Sequence, residues 1–195
     1  MTDFEDAEAR IKAAYARRKN DPSVGKRSSW FTKGNLFVQQ ERERKMLDLL
    51  ARENASDLRH AKILEVGCGT GDLLREFTKW GARPENITGI DLFADDVAEA
   101  KGLCAPALRV EIGSGAALPF PDGHFDIVLQ STVFTSVLDA GLIRELFPQC
   151  KIDLHRITMA PPLLRALAPV SWMACYMLSK IPFLCSHYLG SIRKR

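Results

Sequence analysis

Nine consecutive residues, Ile63-Leu64-Glu65-Val66-Gly67-Cys68-Gly69-Thr70-Gly71, set an apolar run against an acid and then three alternating glycines. Further along, Gly89-Ile90-Asp91 again ends an apolar run in an acid. Glycines in such a turn let backbone N–H groups approach a ligand, and carboxylates at strand ends accept hydroxyls or pair with cations. Together these residue types suit a nucleoside-bearing ligand held at the carboxyl edge of a parallel sheet.

Asp72 narrows the ligand. A dinucleotide fingerprint, G-x-G-x-x-G, places glycine there so that the backbone can meet a pyrophosphate, whereas this chain has a carboxylate in the first helical turn. An acid-lined loop favours S-adenosylmethionine, which carries an ammonium and a sulfonium and no phosphate. Glu65 closes an otherwise apolar strand and must be hydrogen-bonded or paired, either bracing the loop or organising the methionine end of the cofactor. Asp91 is placed to accept both ribose hydroxyls, with a helix N-cap as its plainer role, and Leu92 to lie against adenine. His124 reads as surface structure in the turn before the fourth strand, and His155 and His187 have no evident acidic partner, so no catalytic base is assigned and the catalytic residues stay unknown.

The elements that must position these groups follow from periodicity. Asp3 to Lys19 and Gln39 to Arg52 read as helices, the second burying Met46, Leu47, Leu49 and Leu50, with a loop at Ser28 to Asn35 between them. Strand-like runs at Lys62 to Val66, Asn86 to Asp91, Leu108 to Ile112 and Phe125 to Leu129 alternate with helices at Asp72 to Trp80 and Ala94 to Lys101. That alternation predicts a parallel α/β sheet, its fourth strand fully buried. Phe120, Phe125, Val128 and Leu129 are expected in the core. Beyond it, Lys151 to Thr158 and His187 to Ile192 read as strands around an apolar helical stretch, Pro161 to Ser179, broken near Pro169.

Bulk properties narrow the class. A 195-residue chain with 26% charged and 46% hydrophobic residues suits one globular domain, and a net charge of +3 does not demand nucleic acid. Five cysteines form no CxxC pair and Phe4-Glu5-Asp6 is no secretory leader, which predicts a reduced, cytoplasmic setting and no metal site. The charge-free run Ala166 to Ser179 is too short to span a bilayer, yet it suits contact with a membrane surface or a partner.

The run Ile63 to Gly71, Asp91, and Leu118-Pro119-Phe120-Pro121-Asp122-Gly123-His124-Phe125-Asp126-Ile127-Val128 resemble the class I S-adenosylmethionine-dependent methyltransferases, over roughly Lys62 to Leu138. The resemblance implies a Rossmann-like, doubly wound, mostly parallel sheet with N-terminal helices and an antiparallel C-terminal strand pair. It implies that Glu65, Gly67, Cys68, Gly69, Gly71, Asp91 and Leu92 line the cofactor, that Ser114, Gly115 and Ala116 flank adenine, and that Gln130 and Ser131 face the methyl group. Many members have aspartate where this chain has Ser114, a weaker acceptor. Methyl transfer from a sulfonium can draw much of its acceleration from in-line positioning, on the order of 7–11 kcal/mol in principle. S-adenosylhomocysteine would be the product. Tyr15, Trp30 and Phe31 suit either a lid over the cofactor or packing of N-terminal helices on the sheet.

One piece of that family pattern is short. A helix, a glycine turn and a fifth strand should follow the fourth, needing roughly 25 residues or more. Only Ala140 and Gly141 separate Asp139 from Leu142, where a short helix to Pro148 begins. Three explanations fit: a segment missing from this stretch, an internally shortened chain that pairs its fourth strand with its last, or two chains exchanging elements. The expectation is one methyltransferase domain over 1–195: an N-terminal helical lid (1–55), a cofactor core (62–138) and a strand-helix-strand part (142–195). Its acceptor would be a small molecule or a glycan- or lipid-linked precursor. The alternative is a binding or interaction protein of the same fold without catalysis. No nucleic acid partner is expected, because Gln130-Ser131-Thr132-Val133 replaces the Asn/Asp-Pro-Pro-aromatic tetrapeptide of amino-methylating enzymes. The sequence is compatible with peripheral membrane contact and with a homodimer, including a swapped one.

Overall fold

The computed structural model describes residues 13, 15, 17, 29–115, 117–131, 150–159 and 161–194. The expected helix Leu142–Pro148, the expected fifth-strand position and the site residue Ala116 lie outside the described residues. The chain divides into two compact units, Asn54–Leu142 and the flanking pair Met1–Glu53 with Ile143–Arg195.

The continuous unit is built on a parallel sheet. Strands β1 (Ile63–Val66), β2 (Ile87–Asp91), β3 (Arg109–Ile112) and β4 (Ile127–Gln130) stand in the order β3-β2-β1-β4. All three pairings are parallel, with Val66 opposite both Ile90 and Gln130, so the carboxyl ends of the strands share one edge. β1 and β2 are central and their Ile63, Leu64, Ile87 and Ile90 are fully buried, each such side chain contributing roughly 1.5–3 kcal/mol. Helix α2 (Asp72–Lys79) covers one face with Leu73, Leu74 and Phe77 and stops where Gly81 takes φ 102° and Ala82 N–H reaches back to Phe77 O. Helix α3 (Ala94–Leu103) follows β2 and buries Val97 and Ala100.

The opposite end of the sheet is closed by an aspartate. Lys62 N–H donates to Asp126 Oδ2 at 2.8 Å, and the N–H groups of Asp126 and Ile127 donate to Lys62 O. These bonds fix the register with which β4 meets β1.

β4 departs from expectation. Among the described residues it is the edge strand of its sheet rather than a fully buried one, and Val128 is 60% exposed. Phe120 and Phe125 are half-buried, as is Leu129. Phe120 instead stacks on His124 and meets Phe125 edge-on, with the Arg109 guanidinium 5.6 Å from its centroid.

The second unit surrounds helix α1 (Lys33–Arg52). It begins six residues earlier than its periodicity predicts, because a turn at Ser29 accepts Thr32 N–H and Oγ1 and launches the helix through Lys33-Gly34-Asn35. Asn54 at φ 59° follows its end. Met46, Leu49 and Leu50 are buried, but Leu47, one position round the helix, is exposed. Phe37 packs with Leu164 of helix α4 (Pro161–Leu167), with Ala168 just after it and with Cys175 of helix α5 (Trp172–Leu178), and meets Trp172 edge-on at 5.8 Å. The break at Pro169 lies where expected, with Ser171 capping α5 through Ala174 N–H. Strands β5 (Cys150–Met159) and β6 (Cys185–Lys194) pair antiparallel in a sheet of their own, Cys150 opposite Lys194 and Met159 opposite Cys185.

Candidate active site at the carboxyl edge of the parallel sheet

The loop after β1 turns back at once. Gly67 takes φ 76°, Gly69 52° and Gly71 79°, conformations that side chains with a Cβ rarely adopt. The N–H groups of Gly67 and Cys68 both donate to Ile90 O, tying the loop to the end of β2. Asp91 completes the tie: Oδ2 accepts Gly69 N–H at 2.8 Å and Oδ1 accepts Phe93 N–H at 2.9 Å. Phe93, not Asp91, is the N-cap residue of α3, so the plain capping role considered for Asp91 is replaced by a bracing one.

Two buried acids flank this loop. Glu65 in β1 is 2% exposed and Asp91 is 7% exposed. Their effect is visible on Cys68, whose thiol is pushed up to about 12, first by burial and then by the negative charges of Glu65 and Asp91. Such a field favours a cation beside the loop. A Cβ built on Gly69 would meet nothing within 4 Å, so the loop backbone faces open space there.

Asp72 behaves differently from its sequence reading. Its carboxylate pairs with the Arg75 guanidinium, one turn along the same helix, which partly offsets the charge invoked against a diphosphate. Arg75 also donates to Thr70 O at 2.7 Å, bracing the far side of the loop. Arg75 went unnoticed in the sequence, although its i,i+3 spacing from Asp72 was a usable signal. Cys104 is a second such residue: its sulfur fills the space where a Cβ on Gly71 would go.

The remaining expected residues gather along the same edge. Leu92 follows Asp91, half-buried. Gly113 N–H donates to Asp91 O, leading the chain past Ser114, also half-buried, to an exposed Gly115 whose added Cβ would strike Val66. Gln130 and Ser131 end β4 beside Val66, both half-buried. His124 lies in the turn before β4, away from this edge, exposed and stacked on Phe120. Among the described residues no group of His, Cys, Asp and Glu is arranged to hold a metal ion.

The donor set fits S-adenosylmethionine. Carboxylates from β1 and β2 flank the glycine loop, whose backbone is open at Gly69, and the Arg75 guanidinium beside the loop is engaged with Asp72 and Thr70 O.

Residues 63–152 match the family model described as "Methyltransferase domain". No curated protein matches the sequence. Solved structures similar to this chain include YcgJ from Bacillus subtilis, 21% identical over 59% of this chain and 52% of that one, with a TM-score of 0.40. An S-adenosylmethionine-dependent methyltransferase from Mesorhizobium loti is 21% identical over 56% of this chain and 57% of that one, with a TM-score of 0.39. Magnesium protoporphyrin IX methyltransferase from Synechocystis, solved with the cofactor bound, is 19% identical over 63% and 60%, with a TM-score of 0.43. The chain thus spans little more than half the length of these relatives. The glycine loop between buried acids and the parallel β3-β2-β1-β4 sheet thus lie within the stretch, residues 63–152, that matches the methyltransferase-domain family.

Proposed function

We propose that this protein transfers a methyl group from S-adenosylmethionine to a small-molecule or a glycan- or lipid-linked acceptor. The carrying observation is the pair of buried carboxylates, Glu65 and Asp91, on either side of a left-handed glycine turn open at Gly69. Asp91 would hold the ribose hydroxyls, Glu65 and the Gly67–Gly69 backbone the methionine end, Leu92 the adenine face and Ser114 the adenine edge. When bound, the cofactor supplies an electrophilic methyl on a sulfonium. The chain's own part is orientation: Gln130 and Ser131, at the end of β4, stand on the acceptor side and would align the nucleophile. In-line positioning of this kind is worth on the order of 7–11 kcal/mol and needs no dedicated base unless the acceptor must lose a proton. Four free, buried thiols, Cys68, Cys104, Cys175 and Cys185, support a reducing compartment such as the cytoplasm.

Calorimetric titration of S-adenosylmethionine into the full chain tests this reading. Binding should be clear for the wild type and roughly tenfold or more weaker in Asp91→Ala, because the hydroxyls would lose a buried acceptor. Circular dichroism of the variant separates a lost contact from a lost fold. A folded wild type that does not bind the cofactor would overturn the proposal; binding with no turnover on any acceptor would favour the non-catalytic alternative.

A further inference from the structure

Helix α5 is apolar on two faces, and only one of them is used within its unit. Cys175 is fully buried, Leu178 packs on the same cluster, and Trp172 meets Phe37. The outer stripe is formed by Met173, Tyr176 and Met177, which are 70%, 45% and 57% exposed. The three fall at i, i+3 and i+4, one line along the helix, and just past its end the Lys180 ammonium sits 4.4 Å from the centroid of the Tyr176 ring. Val170 before the helix and Phe183 after it are also exposed, at 82% and 77%. A helix facing water carries polar side chains on such a stripe, and a large exposed apolar surface marks an interaction site.

Charge selects the partner. From Leu154 to Arg195 the sequence contains no Asp or Glu, while Arg156, Arg165, Lys180, Arg193, Lys194 and Arg195 are basic. Arg165 and Lys180 are exposed, and Lys33 donates to Pro169 O at the corner that leads into α5. Phe31, two residues before Lys33, is completely exposed. Unbranched and aromatic apolar groups on one stripe, with cations and no acid in the sequence from Leu154 onward, match the interface of an anionic lipid bilayer. Among the described residues no helix is long and apolar enough to cross a membrane, so the contact would lie in the plane of the interface.

We propose that the outer face of α5 docks on an anionic membrane surface, with Met173, Tyr176 and Met177 entering the acyl boundary and Lys180 facing the headgroups. This stands on the second unit alone and does not depend on the cofactor reading.

Co-sedimentation of the full chain with phosphatidylcholine vesicles, with and without phosphatidylglycerol, tests it. The wild type should bind the phosphatidylglycerol vesicles, and added salt should weaken the binding. The double variant Met173→Glu/Met177→Glu should lower the affinity roughly tenfold or more, with an unchanged circular dichroism spectrum because both side chains are exposed. Lys180→Glu should erase the preference for the anionic vesicles while keeping the fold. No binding to phosphatidylglycerol vesicles, equal binding by the double variant, or indifference to lipid charge would each overturn the proposal. A concentration-dependent dimer by light scattering that the double variant abolishes, without vesicle binding, would assign the face to a second copy of the chain instead.

Discussion

Gly71 shows how tightly the site is built at the scale of one residue. Its φ of 79° is left-handed, and a Cβ added there would come within 2.7 Å of Cys104 Sγ and 3.4 Å of Ala100 Cβ. Gly71→Ala should therefore cost about 1–3 kcal/mol of stability, combining backbone strain with overpacking, as read from the urea midpoint. An unchanged midpoint would mean that the loop can shift freely. The glycines and the acids Glu65 and Asp91 were legible in the sequence because their partners lie nearby on a recognisable turn. Arg75 was legible only in principle. Cys104 and Asp126 were not: they act on Gly71 and Lys62 across separations of 33 and 64 residues, which no local pattern carries. Asp126 was visible as part of a motif, but its work in joining β1 to β4 emerges only from the fold.

At the scale of elements, α1 carries a conflict that its period does not announce. Glu41 lies on the buried stripe with Phe37, 3% exposed, and among the described residues its carboxylate has no well-formed hydrogen bond, the Ser179 hydroxyl being only a loose neighbour. Burial pushes its carboxyl above the usual range, opposed less strongly by Ser179 and by the positive charges of Lys45 and Arg44. Ser179 is a weak counterweight, since its single hydroxyl proton is donated to Tyr176 O. The nearby Cys175 thiol is itself raised, mainly by burial and slightly by the charge on Glu41. A raised folded value means that the folded chain holds a proton the unfolded chain has released. The stability of this unit should thus be greatest below the ordinary carboxylate range and fall as pH rises through the raised value. Glu41→Gln should flatten that slope and raise Tm by about 2–4 °C at mildly alkaline pH. Parallel pH profiles for the two proteins would refute it. Amphipathic spacing located α1 and the two helices around Pro169, but a count of apolar positions placed Leu47 inside and could not see that a carboxylate shares the buried stripe. β4 was likewise read as fully buried because its residues are apolar, whereas among the described residues strand order, which composition does not encode, makes it an edge.

At the scale of the molecule, the chain runs through one half of a unit, builds the parallel sheet as a continuous insert, and returns to finish the first unit. Periodicity resolved the sheet well because α/β alternation is local. The division into units was not legible, since it depends on which distant segments meet. That interleaving sets a timetable on the ribosome. The apolar face of α1 is made before its cover, which comes from Leu164 to Cys175, and Lys33 reaches Pro169 across 136 positions. At about 5–20 residues per second, α1 waits roughly 7–27 s with Phe37 and Glu41 uncovered, while the whole nucleotide-type sheet is made between. A nascent chain arrested before Pro161 should bind a hydrophobic dye at α1 that the released protein does not; equal dye binding would refute this. Burial of the α1 stripe thus follows, rather than precedes, synthesis of the parallel sheet.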